Sequence, residues 1–365
     1  MKKVKDTIRS PVRRLNAECY LLMTLLSFAA SVSLTRLFLE VTGYPQIGNN
    51  QLHIAHVLWG GLLLFIAALI PLIYINHWAL DLSALLAGIG VGLFIDEIGK
   101  FISASNDYFF PAAAPLVYSI FLLTLLIYTL IRKPHKTDMR STLYLVLQEM
   151  QEVLDRDLSD VEREVILIRL ERLHHTANHE ELNRLVKYLI QFLKSKDLHT
   201  VSHKPDLLKR AEIFWRNFEK KKLKRADFRK LIVCGLLLWG IWALCYPMAS
   251  WVCSIRHISL PPIIKELINA NINTDSGIFS LEGFRVLGEM TVGIALICAA
   301  FLFIIKKEKP ASDITYVSLL FSLCGVYQLV FYVDQFSAIF CAFLQFLLLV
   351  VNRRYRNRFL LDKYY

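Results

Sequence analysis

The sequence predicts an all-α, polytopic membrane protein with about eight transmembrane helices in two four-helix halves and a small cytoplasmic helical insert. Three observations lead to this fold class. Hydrophobic residues make up 55% of the 365 residues, and several apolar runs reach the roughly 20 residues that a membrane-crossing helix needs. Basic residues cluster beside these runs. The polar middle of the chain has helical periodicity and no strand signal.

The apolar runs define the predicted order of elements. The first run is too long for the apolar core of a signal peptide, so it counts as a crossing. Residues 1–132 form the first membrane half, 133–228 the insert and 229–365 the second half. The predicted crossings are 18–40, 53–75, 80–102, 111–132, 231–252, 284–305, 314–334 and 336–352.

The net charge of +11 comes from basic residues whose positions indicate the orientation of membrane crossings rather than a nucleic-acid-binding surface. The basic clusters "MKKVKDTIRSPVRR", "IRKPHK", "KKKLKR", "KKEK" and "NRRYRNR" all adjoin predicted crossings. With eight crossings they all fall on one side, which the positive-inside bias makes cytoplasmic. We therefore expect a multi-pass protein of a bacterial inner (cytoplasmic) membrane with both termini cytoplasmic. Its partner is the lipid bilayer, and no nucleic acid is expected.

The insert, residues 133–228, is predicted to be a small helical bundle. "TLYLVLQEMQEVL" places apolar residues at three- and four-residue spacing, as in an amphipathic helix. Ser159 with Glu162, and Asn178 with Glu181, have the spacing of capping boxes. Such a bundle is a candidate surface for a cytoplasmic protein partner, and the sequence leaves the oligomeric state open.

Charged residues near the outer ends of the first three crossings form the candidate site. "GVGLFIDEIGKFIS" carries Asp96 and Glu97 into a predicted membrane helix, where ionisable groups are costly and commonly functional. Alternating crossing directions collect polar groups at this depth, and Gly60, Gly88 and Gly92 favour close helix contacts there. The collected residues are Arg36, Glu40, His53, His56, Asp96, Glu97, Lys100 and Asp107.

This layer admits three chemical interpretations. His53 and His56, taken as one turn apart on a helix, could bind a divalent metal such as Zn together with Asp96. The same groups suit a proton relay, because histidine titrates near neutral pH. Alternatively, Arg36 or Lys100 neutralises the two acids in a charge network. In all three cases His53, His56, Asp96 and Glu97 are expected to converge on one pocket.

The two membrane halves resemble each other weakly. "LHIAHVLWGG" and "FIDEIGKF" in the first half correspond to "LEGFRVLGEM" and "VFYVDQF" in the second. His53 then aligns with Glu282 and His56 with Arg285. Four crossings per half preserve orientation, so the repeat would be a parallel one.

The block "HIAHVLWGG" followed by "GIGVGLFIDEIGKF" resembles a group of uncharacterised bacterial integral membrane proteins. In that group a histidine pair opens one crossing and an Asp-Glu pair closes the next. The resemblance covers residues 53–108 only. It implies a membrane protein with a polar site at this place and brings no known activity.

Three functions are compatible with the sequence. The favoured one is transport or sensing of a small solute or ion through an outward-facing polar pocket. A membrane-embedded metal-dependent hydrolase acting on a lipid or envelope substrate is an alternative, with Glu97 as general base. The third is a membrane scaffold that binds a cytoplasmic partner through the insert. A transporter should have polar groups at mid-depth in both halves, and a hydrolase needs an open metal position.

Overall fold

The structure is a computed structural model that describes residues 11–43, 48–49, 52–53, 56–133, 138–174, 180–195, 198–201, 224–256 and 281–360. Within these ranges the chain is almost entirely helical, as predicted. The strands in this part are β1 (Gly48–Asn49) and β2 (Leu52–His53), which pair antiparallel with Gly48 opposite His53. At this coarse level the all-α fold class is confirmed.

The first part of the chain holds long apolar helices, and the insert holds short amphipathic ones. The long helices are α1 (Ala17–Thr42), α2 (His56–Ile73), α3 (His77–Asp96) and α5 (Ala113–Ile131), with the short α4 (Ile98–Ile102) before α5. The insert contains α6 (Met139–Glu149), α7 (Gln151–Leu154), α8 (Asp160–His174) and α9 (Glu180–Leu193).

The last part of the chain is again made of long apolar helices. It contains α10 (Arg225–Arg256), α11 (Leu281–Ile304), α12 (Glu308–Phe321), a π-helical turn (Ser322–Val326), α13 (Tyr327–Asp334), a 3₁₀ turn (Gln335–Ser337) and α14 (Ala338–Phe359). π-Helical turns inside helices are rare, and those that occur are frequently found at functional sites.

Seven helical segments of the described chain are long and apolar enough to cross a membrane. The seventh, Glu308–Phe359, has 52 residues and would measure about 78 Å as a straight helix. It folds back at Gln335, whose φ is 49°. Asn352 Nδ2 accordingly donates to the Ser312 carbonyl at 3.0 Å. A multi-pass membrane architecture is thus supported.

The structure corrects one local expectation about the second crossing. His53 was expected to open that helix and to share a face with His56. His53 instead lies in β2, and α2 begins at His56. Gly48–Asn49 pairs with Leu52–His53, so His53 belongs to a strand rather than to the first turn of α2. The side chain of His53 lies outside the described part of the structure.

One further boundary differs from the sequence prediction, and one predicted helix cap is observed. The third crossing was expected to extend to residue 102, but α3 ends at Asp96 and Glu97 adopts φ −89°, ψ 10°. In the insert, Ser159 and Glu162 form the predicted capping box, with Ser159 N donating to Glu162 Oε2 at 3.0 Å. The second predicted capping box includes Asn178, which is outside the described residues.

The chain divides into two compact units. One comprises Met1–Ser27, Leu63–Gly88 and Thr124–Phe214, and the other Phe28–Leu62, Ile89–Leu123 and Trp215–Tyr365. The core of the first unit is formed by buried apolar residues of α6, α8, α9 and the loop before α8. These residues are Leu143, Val146, Leu158, Ile166, Leu170, Leu173, Val186 and Leu193.

The second unit contains the candidate site and has a larger core. Its core residues come largely from α10 to α14, with Phe303 and Tyr355 fully buried at its centre. Tyr118 of α5 joins this core, stacks on Phe331 with ring centroids 4.4 Å apart and donates its hydroxyl to the Leu323 carbonyl at 2.7 Å. That carbonyl belongs to the π-helical turn, so an inter-helix bond satisfies a backbone group of an irregular segment.

Candidate functional site

Small residues allow three helices to approach closely around the site. A Cβ atom added to Gly60 of α2 would lie 2.6 Å from the backbone nitrogen of Phe94 in α3. One added to Gly92 of α3 would lie 2.7 Å from Ser31 Cβ in α1. Glycine is therefore required sterically at both positions, and the acidic end of α3 is packed against protein.

Asp96 is the centre of the site and is completely buried. Its Oδ1 accepts a hydrogen bond from Arg36 Nε at 2.6 Å. Its Oδ2 accepts one from the Tyr108 hydroxyl at 2.6 Å and lies 3.1 Å from His56 Nε2. Arg36 NH2 also donates to the Asp96 carbonyl at 3.0 Å, so this arginine contacts both the last side chain and the last carbonyl of α3.

The Arg36 guanidinium lies between two aromatic rings. Its central carbon is 4.1 Å from the centroid of the Tyr108 ring and 3.7 Å from that of Phe336. Each contact has the geometry of a cation–π interaction, which strengthens when the cation is desolvated. Arg36 is only 7% exposed. The charge is thus stabilised by the Asp96 carboxylate and by two aromatic rings close to it.

Glu97 forms the second half of the site and is 1% exposed. Its Oε1 accepts a hydrogen bond from Lys100 Nζ at 2.8 Å. Its Oε2 accepts one from the backbone nitrogen of Val57 at 3.2 Å. This N–H group lies in the first turn of α2, where backbone donors have no acceptor within the helix. The structure thus pairs Asp96 with Arg36 and Glu97 with Lys100, where the sequence predicts that Arg36 or Lys100 neutralises the two acids.

His56 lies between the two carboxylates. Nε2 is 3.1 Å from Asp96 Oδ2, and Nδ1 is 3.3 Å from Glu97 Oε1. A neutral imidazole has one donor and one acceptor nitrogen, so it can donate to only one of two carboxylates, whereas the doubly protonated ring can donate to both. The His56 side chain is 23% exposed, which makes it an accessible edge of a site whose acids are buried.

Two of the remaining predicted residues, Glu40 and Asp107, are exposed. Glu40 is exposed near the end of α1. Asp107 is exposed and accepts a hydrogen bond from Phe109 N at 2.8 Å, which organises its own loop. His53 is described only by its backbone. The structure thus brings together Arg36, His56, Asp96, Glu97 and Lys100.

The described side chains do not favour a metal in this cluster. No group of three or more His, Cys, Asp or Glu residues in the described part of the chain is arranged to hold one. Both Asp96 oxygens and both Glu97 oxygens already have donors. A divalent ion would also lie beside Arg36 and Lys100. The metal hypothesis for His53, His56 and Asp96 stays a prediction, because it requires the side chain of His53, which is outside the described residues.

Sequence reasoning missed Tyr108 and Phe336. Burial and the neighbouring Asp96 carboxylate raise the pKa of Tyr108, so its hydroxyl remains a donor to Asp96. The loop "DYFFP" concentrates aromatics one residue after Asp107, which is a detectable signal for Tyr108. The contact of Phe336 with a residue 300 positions earlier leaves no such signal.

Sequence reasoning also passed over a second buried ion pair. Arg285 near the start of α11 pairs with Asp334 at the end of α13, at 3.0 and 2.7 Å. Glu289 lies one turn further along α11, with Oε1 3.7 Å from Arg285 Nε. Each of these charges interrupts an apolar run in the sequence, which was a usable signal.

Comparisons with protein-family profiles, with curated proteins and with solved structures found no match. The resemblance of residues 53–108 to uncharacterised bacterial membrane proteins stays a prediction.

Proposed function

We propose that this chain is a multi-pass protein of a bacterial inner membrane. In this proposal the His56 cluster, which consists of Arg36, His56, Asp96, Glu97 and Lys100, couples proton binding to the sensing or transport of a small solute or ion. The observation that carries the proposal is the position of His56, whose two ring nitrogens face the carboxylates of Asp96 and Glu97. Arg36 and Lys100 balance these two acids. A proton on His56 therefore changes the net charge of a buried cluster from zero to +1.

A change of one charge at this place can affect how helices pack. His56 begins α2, whereas Asp96 is the last residue of α3 and Glu97 follows it. Hydrogen bonds to charged groups are worth about 1.5–3 kcal/mol each. Protonation that adds or removes one of them therefore biases the contact between α2 and α3 by an amount typical of coupling between sites.

The membrane arrangement belongs to the same proposal. We count the helical hairpin Glu308–Phe359 as two crossings, which gives eight in total and places both termini in the cytoplasm. The proposed parallel repeat aligns His56 with Arg285. Each of these basic residues near the start of a helix pairs with an aspartate at the end of another, His56 with Asp96 and Arg285 with Asp334. This shared geometry supports two four-helix halves.

The proposal is tested with proteoliposomes on a solid-supported membrane that receives steps in external pH. We expect wild-type protein to give a proton-dependent charge displacement and His56→Gln to lose it. His199→Gln is the matched control, because His199 is exposed in the insert. A sustained current indicates transport and a transient one indicates sensing. A displacement that is equal in wild type and His56→Gln contradicts the proposal.

The scaffold function has one observation in its favour. Val161, Val165 and Ile168 lie at helical spacing on α8 and are 52%, 38% and 42% exposed. We propose this stripe as a contact for a cytoplasmic protein partner. A photo-crosslinking residue at position 165 should then form one discrete adduct in cells, and one at the neighbouring exposed Glu164 should not. Equal labelling at both positions contradicts a specific contact.

A further inference from the structure

A second polar cluster lies in α11 and α13 and carries an unbalanced charge. Arg285 forms a two-bond ion pair with Asp334, and its Nε lies 3.7 Å from Glu289 Oε1. Arg285 thus lies close to the carboxylates of both Asp334 and Glu289. If both acids are ionised, the cluster has a net charge of −1.

This surplus charge lies well inside a membrane-spanning segment. Glu289 is eight residues beyond Leu281, the first residue of α11, which is about 12 Å along the helix axis. Its side chain is only 13% exposed. An uncompensated carboxylate in such surroundings costs several kcal/mol or more and normally binds a proton instead.

A small cavity adjoins Glu289. Its volume is about 20 Å³, and its lining includes Trp239, Glu289, Tyr327 and Gln345. A volume of about 10–15 Å³ on this scale is enough for one water molecule. The π-helical turn contributes Ser322 to the same lining. The cavity is therefore partly polar and has room for one water molecule.

Three buried polar atoms of the lining residues have no hydrogen-bond partner among the described residues. They are Glu289 Oε2, Gln345 Oε1 and Trp239 Nε1. The residue Gln345 is only 2% exposed. Atoms of this kind in a native protein commonly mark an unseen water, ion or catalytic role.

The donor or acceptor character of these three atoms indicates which molecule fits the cavity beside Glu289. Gln345 Oε1 is an acceptor and Trp239 Nε1–H is a donor. A bare metal cation would gain from the oxygens but would face the positive end of the indole N–H bond. A water molecule can accept from Trp239 and donate to both oxygens. A proton on Glu289 then removes the surplus charge, and the resulting hydroxyl can donate to the water.

We infer that Glu289 is a proton-binding site, with one water molecule held between it, Gln345 and Trp239. The reaction is the reversible addition of one proton to a Glu289 carboxylate oxygen. The site uses none of the residues of the His56 cluster, so it stands independently of the proposed function. It would supply the second membrane half with the mid-depth polar group that a transporter needs.

Several titratable or charged groups face Glu289 from the surrounding elements. Arg285 lies on the same helix, Asp334 and Tyr327 lie on α13, and Cys341 lies on α14. Among these described groups Arg285 is the positive one, and it is bound to Asp334 through two hydrogen bonds. The others are negative or neutral, so none of them balances Glu289.

The inference is tested by infrared difference spectroscopy of the full chain in lipid nanodiscs during pH titration. Wild-type protein should show the carbonyl band of a protonated buried carboxyl, and Glu289→Gln should lose it. Glu282→Gln, three residues from Arg285 and near the start of the same helix, should keep it. Gln345→Leu should shift the band without removing it, because one partner of the water is lost.

Stability supplies a second readout. If Glu289 is protonated in the folded protein, its neutral isostere Glu289→Gln should unfold at the same denaturant concentration as wild type. Asp334→Asn should unfold more easily, because it removes the partner of Arg285. A titrating band that remains in Glu289→Gln overturns the inference. Loss of the wild-type band in sodium relative to choline at constant pH also overturns it, in favour of a sodium site.

Discussion

The contact between α2 and α3 at Gly60 is predicted to control the geometry of the His56 cluster. In Gly60→Ala the new Cβ would lie 2.6 Å from Phe94 N and 2.8 Å from Gly90 O, whereas ordinary contacts begin at 3.4 Å. Both opposing atoms belong to the backbone and cannot rotate away. The two helices must therefore separate by about 0.8 Å. His56 is one turn from Gly60, so its 3.1 Å contact with Asp96 would lengthen beyond hydrogen-bonding distance.

The magnitude follows from three terms. Inserting a methyl group into a filled contact costs about 1–3 kcal/mol. Losing a hydrogen bond to a charged group costs about 1.5–3 kcal/mol. Replacing a helical glycine by alanine returns about 0.5–1 kcal/mol. We expect Gly60→Ala to lower the free energy of unfolding by about 2–5 kcal/mol in total.

The neighbouring glycine provides a matched control on the same helix. An added Cβ at Gly61 has no neighbour within 4 Å, so Gly61→Ala should be neutral or stabilising by up to about 1 kcal/mol. Both variants are compared by unfolding in mixed micelles of increasing SDS content, followed by tryptophan fluorescence. Equal unfolding midpoints for Gly60→Ala and Gly61→Ala would refute the close contact between α2 and α3.

Three further outcomes are expected. Arg36→Met leaves buried Asp96 without its cation and should lower the free energy of unfolding in SDS titrations by about 3–5 kcal/mol. Arg36→Lys should retain only part of this stabilisation, since an ammonium group cannot reproduce both the Nε and the NH2 hydrogen bonds to Asp96. Tyr108→Phe keeps the ring over Arg36 but removes the donor to Asp96, at a cost of about 1–3 kcal/mol; an unchanged midpoint in the same titration contradicts that bond. In the insert, burial and the Glu162 carboxylate raise the pKa of Glu152 from 4.5 to about 7. The folded state therefore holds a proton that the unfolded chain releases, and stability falls as pH rises between these values. Glu152→Gln should slow hydrogen exchange in residues 139–160 at pH 8 and have no effect at pH 4.

Much of the fold could be predicted because its physical cause is local. Apolar runs of sufficient length are visible in the sequence, and they correspond to helices in the described ranges. The convergence of His56, Asp96 and Glu97 could also be anticipated. It requires only that consecutive crossings alternate in direction and that α2 and α3, which are separated by a short connection, are neighbours.

The features that escaped prediction depend on contacts between distant residues. Phe336 covers Arg36 only because the Glu308–Phe359 segment folds back at Gln335. Hydropathy does not indicate where such a reversal occurs. The placement of His53 was missed for a local reason, since a two-residue strand carries too little periodicity to be recognised beside an apolar helix. The cavity beside Glu289 depends on side-chain packing around a π-helical turn, which no hydropathy window resolves.

The two buried clusters differ by a single charge, and this difference determines what each can do. At the end of α3, two acids face two basic residues, so protonation of His56 adds a charge to a balanced set. At Glu289, two acids face one arginine, so protonation removes a charge and leaves a neutral set. Protonation would therefore move the first cluster away from neutrality and the second towards it, and the variants His56→Gln and Glu289→Gln can separate these two effects.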